Sequence, residues 1–210
     1  MPDPRTVAST AFAAAIEFLK ANQKNQNQRD KHDTIAIRAR DQKWVPPQAD
    51  FVKLNTDGSW LKSSSEGGLG VIARNASGHL VGGVANQVQA NSVIQVELLA
   101  ISEALSLASK KRRDKIEIES DTRDALDAIT GKKNSDWEAY PILCQIRRKK
   151  AFFSQIRWSW ASREVNQAAD CLASFARRRL CAEAWVDRPP TSLVFILSKD
   201  GLPCPPSNGA

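Results

Sequence analysis

Four acidic residues stand where their own surroundings give them little local reason to be: Asp57, Glu97, Asp121 and Asp170. Asp57 closes the alternating run Phe51-Val52-Lys53-Leu54-Asn55-Thr56-Asp57, just before the turn signal Gly58-Ser59. That pattern predicts a carboxylate at a strand's exit. Glu97 falls on a helix face shared with Val93, Ala100, Ile101, Ala104 and Ala108. Such a face presses on a sheet, where a carboxylate is costly unless paired or bound to metal. Asp121 follows Glu119-Ser120 at the end of a strand and precedes a helix. Asp170 lies one turn after Asn166, at the edge of the stripe Ala169, Leu172, Phe175. Three of them have a plainer alternative: a buried salt bridge for Glu97, a helix N-cap at Ser120 or Asp121, a solvated helix acid at Asp170. As a set, four oxygen donors with no thiol or imidazole nearby suit Mg²⁺ or Mn²⁺ rather than zinc. Two such ions held about 3.5–4 Å apart can clamp a phosphodiester, one activating water and one stabilising the leaving oxygen.

Composition argues against other chemistries. The two histidines, His32 and His79, lie in a polar stretch and after Gly78 in a turn, which leaves little to build a Ser-His-Asp or Cys-His site from. Cys144, Cys171, Cys181 and Cys204 form no Cys-x-x-Cys pair and have no histidine at ligand spacing. No apolar run reaches the roughly 18–20 residues of a spanning helix, and no secretory signal is visible. The chain is therefore expected to be soluble and intracellular, nuclear or cytoplasmic rather than secreted, and a monomer without membrane contact. Its 210 residues carry a net charge of +7, with a pI near 9.4, so an acidic partner, nucleic acid foremost, is expected. Candidate phosphate contacts are the clusters Lys110 to Arg113, Arg147 to Lys150 and Arg177 to Arg179.

The elements that must position the acids follow from periodicity. Residues 7–21 carry Phe12, Ala15, Ile16 and Leu19 at helical spacing, and residues 22–43 are mostly polar. They read as an N-terminal helix and a linker, residues 1–43. Trp44-Val45-Pro46-Pro47 opens the main domain, residues 44–184, and a Pro-containing tail, 185–210, ends the chain. Strands are predicted at 51–57, 67–74 and 79–88 with short links, hence an antiparallel meander. Gly68-Leu69-Gly70-Val71-Ile72-Ala73 loosely matches a dinucleotide fingerprint, but a turn and a strand follow it instead of a helix. Its glycines are better read as a bulge or a close backbone approach. A helix capped by Asn91-Ser92 runs from about 93 to 110. A strand at 116–119, helices at 122–130 and 136–150, a strand at 151–160 and a helix at 164–181 complete the domain. The long helix after the meander allows the fourth strand to lie parallel.

Read together, these stretches resemble a type 1 RNase H domain. The motifs are Lys53 to Ser59, Gly68 to Arg74, Val96-Glu97-Leu98-Leu99-Ala100, Glu119-Ser120-Asp121 and Arg163 to Asp170. The version found at the end of plant non-LTR retroelement reverse transcriptases, also present as stand-alone genes, is the most similar, over roughly residues 44–200. The resemblance implies an α/β fold: a mixed five-stranded sheet in the order 3-2-1-4-5, first three strands antiparallel, flanked by helices. It implies two Mg²⁺ or Mn²⁺ ions on Asp57, Glu97, Asp121 and Asp170, with Gly58, Ser59 and Asn166 on the substrate side. It also implies endonucleolytic hydrolysis of the RNA strand of RNA–DNA hybrids. One position departs from the pattern. Family members carry a histidine six residues before the motif's asparagine, and Trp160 stands there. Indole neither accepts nor titrates, so cleavage is expected to be weak and stronger with Mn²⁺, and a restored histidine to raise it. The alternative is a catalytically degenerate nucleic-acid-binding module of the same fold.

Overall fold

The alternating run around Asn55 becomes the centre of a sheet. In the computed structural model, residues 35–37, 43–133, 137–181 and 185–201 are described. The strands are β1 (Ile35–Ile37), β2 (Val52–Leu61), β3 (Glu66–Arg74), β4 (Leu80–Gln89), β5 (Lys115–Ser120) and β6 (Gln155–Trp160). The helices are α1 (Val93–Lys110), α2 (Arg123–Ile129), α3 (Tyr140–Lys150), α4 (Gln167–Arg177) and α5 (Thr191–Lys199). The helix expected at residues 7–21 lies outside the described residues, as does most of the stretch read as a linker.

The sheet order is β1-β6-β5-β2-β3-β4. β2, β3 and β4 form the antiparallel meander, and β5 and β6 join β2 in parallel. Its five long strands reproduce the expected 3-2-1-4-5 order. The addition is β1, three residues inside the stretch read as a linker, which pairs parallel with β6 at Trp158 to Trp160. A three-residue run gives too little alternation to be read as a strand.

Local chemistry explains most boundaries. The Ser92 hydroxyl accepts from Gln95 N and the Gln95 side chain reaches back to Asn91 N, so α1 begins at Val93 as expected. Asn75 Oδ1 accepts from Ser77 and His79 N–H, and Gly78 supplies φ +79°, closing the β3–β4 turn. Four expectations need correction. The last strand, expected from residue 151, starts at Gln155, because residues 151–152 turn after α3. β2 does not stop at Gly58-Ser59 but pairs with β3 out to Leu61. A Cβ on Gly58 would stand 2.8 Å from Glu97 N, so the glycine admits α1 against the strand and makes no turn. α3 starts at Tyr140, four residues later than predicted, with Pro141 in its first turn. α4 starts at Gln167, because residues 163–165 turn before Asn166.

Each sheet face has its own core. On one face α1 packs Leu98, Ile101 and Leu105 against Val52, Leu54, Val71, Ile116, Ile118 and Trp158. On the other, Ile72 meets Ala168 and Leu172 of α4, together with Trp185, Leu193 and Leu197. The stretch read as a Pro-containing tail thus supplies α5, whose Leu193 and Leu197 are buried. Each such side chain contributes roughly 1.5–3 kcal/mol by leaving water. Gly68 and Gly70 lie directly beneath the α4 backbone at Ala169, Ala173 and Arg177, and a Cβ at either would collide with it. They are the close-approach glycines of the sequence reading, and they bring the helix bearing Asp170 down onto the sheet.

Candidate metal centre

Parallel register between β2 and β5 stacks polar residues in three successive rungs on one face. Lys53 lies opposite Glu117 and Asn55 opposite Glu119. Pairing ends at Thr56 and Ser120, so Asp57 and Asp121 form the next rung just past the last ladder residues. β5 stops there while β2 continues, and the sheet opens at that point. Glu97 arrives from α1, whose backbone lies against Gly58. Asp57, Glu97 and Asp121 each offer a carboxylate oxygen within 4.8 Å of the others.

Among the described residues no buried cation touches this trio; the opposing charge that acts on all three is the exposed Arg163. Asp57 and Glu97 are each only 5% exposed. Burial first, then the negative charge of Glu97, Asp121 and Asp170, pushes the Asp57 carboxyl up to about 9. Burial likewise raises Glu97 to about 8, although the Thr122 hydroxyl and Gly58 N–H both donate to it. Asp121 is raised by the same desolvation. Glu97 Oε2 and Asp121 Oδ1 are buried with no hydrogen-bond partner. Two unpaired acceptors beside a third carboxylate are unfavourable in a dry interior, and they fit a hard divalent cation that takes oxygen donors.

The plainer alternatives fare differently. Among the described residues no ion pair to Glu97 is present. Asp121 is not the cap of α2: Thr122 holds that position, and the Ser120 hydroxyl accepts from Thr122 N. Asp170 stands apart from the trio. It is part-exposed and paired with Arg163 at 3.2 Å, while still close enough for its charge to raise Asp57. Arg163 was not singled out by the sequence reading. The signal was present, a cation in the turn just before the helix that carries an acid. It is exposed, and its charge acts on Asp57, Asp121 and Asp170 together.

The remaining predicted residues are placed as follows. Gly58 faces α1. The Ser59 hydroxyl accepts from Arg177 Nε at 2.9 Å. Asn166 is buried and turned inward: its Nδ2 donates to Thr56 O at 2.9 Å and its Oδ1 accepts from Asn55 Nδ2 at 3.2 Å. Trp160 is the last residue of β6, and its indole N–H donates to Asp121 O at 2.8 Å.

The three basic clusters separate. Arg112 and Arg113 line a cavity of about 420 Å³ with Asp50, Phe51 and Val52, at the far end of β2 from Asp57. Lys149 turns inward onto the Ser102 and Ser106 hydroxyls at 2.8 and 2.7 Å. Arg177 joins Ser59, two residues beyond Asp57, and Arg178 and Arg179 beside it are exposed. This last cluster adjoins the acids.

Comparison with known proteins agrees with this geometry. The model of a family described as reverse transcriptase-like matches residues 55–176. A protein of Arabidopsis thaliana, provisionally named a ribonuclease H protein, is 27% identical over 162 residues, 76% of this chain. The chain spans about a quarter of that relative's length, 26%. The RNase H1 of Halobacterium salinarum superposes with a TM-score of 0.59 at 21% identity, over 61% of this chain and 98% of that one. An RNase H1 isolated from compost, solved in complex with an RNA/DNA hybrid, superposes at 0.57 with 17% identity, over 61% and 97%. At these identities the solved structures establish the fold.

Proposed function

Because the chain belongs to the reverse transcriptase-like family and has the RNase H fold, we propose that it hydrolyses the RNA strand of RNA–DNA hybrids. In this reading Asp57, Glu97, Asp121 and Asp170 hold Mg²⁺ or Mn²⁺. The observation that carries it is the buried trio with two oxygens left unpartnered, in a protein of net charge +7. Bound divalent metal supplies an activated water and stabilises the oxygen that departs from the phosphate.

The chain's own residues do the rest. Asp57 and Glu97, whose carboxyl pKa values burial raises, would give up their protons to serve as metal ligands. Asp170, paired with Arg163 at 3.2 Å, would complete the set from the exposed side. Arg177 to Arg179 and Ser59 receive the backbone of the duplex, since they flank the acids on the exposed end of β2. Trp160 favours one second reading, a binding module that keeps the fold and has lost turnover. A labelled hybrid incubated with Mg²⁺, Mn²⁺ or EDTA separates the two. Internal cuts in the RNA strand that need metal support the nuclease. Retention of the hybrid with no cut under any metal supports the module.

A further inference from the structure

We propose that Trp160 is a positioning residue for the acidic centre, fixing Asp121 through its indole N–H. The proposal rests on the reading of Asp121 as a metal ligand and adds what holds that ligand in place. Residues 120–122 are the break between β5 and α2, and hydrogen bonds from β6, from the residue after it and from within the turn help to pin them. Ser120 O accepts from Ala161 N at 3.1 Å, Ser120 Oγ accepts from Thr122 N at 3.1 Å, and Asp121 O accepts from Trp160 Nε1 at 2.8 Å. Only the last acts on Asp121 itself. Asp121 Oδ1 is buried with no hydrogen-bond partner, and the carboxyl's other contacts are with its own N–H and with Asp57, so among these contacts only the backbone bond from Trp160 ties Asp121 to a framework outside the acidic cluster. The indole is itself braced. Trp160 pairs with Ser120 on one side and Ile37 on the other, and its ring packs partly buried on the main core. A rigid ring with one donor at its tip suits holding a carbonyl and does not suit carrying protons.

Trp158, two residues earlier in β6, provides a matched control. It is 1% exposed, and its indole N–H is buried without a partner. Trp158→Phe and Trp160→Phe therefore make the same chemical change, and only the second removes a hydrogen bond. Trp160→His would remove the indole and add a titrating ring together, so it does not isolate the contact.

The experiment measures Mn²⁺ affinity by calorimetry and amide exchange at residues 120–123, in the full chain and both variants. Trp160→Phe should weaken Mn²⁺ binding about tenfold, the scale typical when a support of a metal ligand is removed, and should speed exchange at residues 120–123. In single-turnover cleavage it should lower the rate and leave the half-saturating hybrid concentration unchanged. Trp158→Phe should lower the melting temperature while binding Mn²⁺ like the parent. Unchanged affinity in Trp160→Phe, or equal loss in both variants, overturns the proposal. If the parent binds no Mn²⁺, the metal reading fails, and with it the proposal's link to metal. Exchange at residues 120–123 then still tells whether Trp160 anchors Asp121.

Discussion

The two ends of one polar ladder behave in opposite ways. At its start Lys53, fully buried, contacts Glu117 at 3.0 Å and Glu119 at 3.2 Å and donates to Val45 O. Asn55 accepts from Trp44 Nε1 and Arg74 Nη2 and donates to Glu119 and Asn166. Arg74 stacks 3.5 Å over the Trp44 ring and pairs with Asp200 at 2.7 Å. Each buried charge there contacts an opposite one, as an interior of low dielectric favours, although Arg74 Nε keeps no hydrogen-bond partner. One rung further along the same strand and face, Asp57 meets Asp121 and Glu97, with no cation among them in the described residues. Burial is similar at both ends and compensation is not. The balanced end holds Trp44, the sheet and the end of α5 together. The unbalanced end keeps buried carboxylates side by side, a state that protons or an added cation would relieve.

The largest effect expected from breaking this contrast is at Asp57. Asp57→Asn should lower single-turnover hybrid cleavage by about 10³-fold or more, roughly 4 kcal/mol of barrier. The same change should raise the melting temperature of the metal-free protein at pH 9, because it removes a buried negative charge. A metal-free variant melting no higher than the parent would show that the trio is not under strain.

At the balanced end the sign reverses. Lys53→Met takes the ammonium away from Glu117 and Glu119 and should destabilise the fold by about 3–5 kcal/mol. At roughly 2–4 °C per kcal/mol for a chain of this size, thermal melting reads this easily. Cleavage per folded molecule should change far less than in Asp57→Asn. A variant as stable as the parent would show that the buried lysine is not what balances the rung.

Protons act on the unbalanced end. Asp57 is raised from 3.8 to about 9 and Glu97 from 4.5 to about 8, first by burial. Between those limits the folded state binds more protons than the unfolded chain, so stability falls as pH rises. Their contribution is complete below about pH 4 and lost as pH climbs through 8 to 9. In EDTA the melting temperature should drop by several degrees between pH 6 and 9, and saturating Mn²⁺ should flatten that slope. A metal-free protein that gains stability over the same range would contradict the raised values.

The smallest effect lies outside the ladder. Replacing Arg178 and Arg179 by alanine should reduce the log–log salt slope of hybrid binding by about 0.9 for each phosphate that is no longer neutralised. The same change at Arg112 and Arg113, at the far end of β2, should leave the slope alone. Equal effects at both clusters would remove the assignment of Arg177 to Arg179 to the substrate side.

Much of this arrangement was legible along the chain. Alternation at Val52, Leu54 and Thr56 against Lys53, Asn55 and Asp57 separated the two faces of β2, since a strand's side-chain period is two. Small residues around Glu97 marked the sheet-facing side of α1, and Asn91-Ser92 marked its start. The four acids were recognisable because each was odd within its own element. What local spacing could not carry was the choice of partners. Lys53 and Glu119 lie 66 residues apart and Arg74 and Asp200 126 apart, so nothing near Lys53 announces a buried charge and nothing near Asp200 announces a latch. Gly58 read as a turn because the helix that needs its missing side chain is 38 positions away in Val96 and further. Local periodicity decided which residues face inward. Only the parallel register of β2 and β5, and the point where β5 ends, decided that two inward acids would meet cations and amides while the third would meet acids. Charge balance is summed over neighbours in space, and the ladder sets those neighbours.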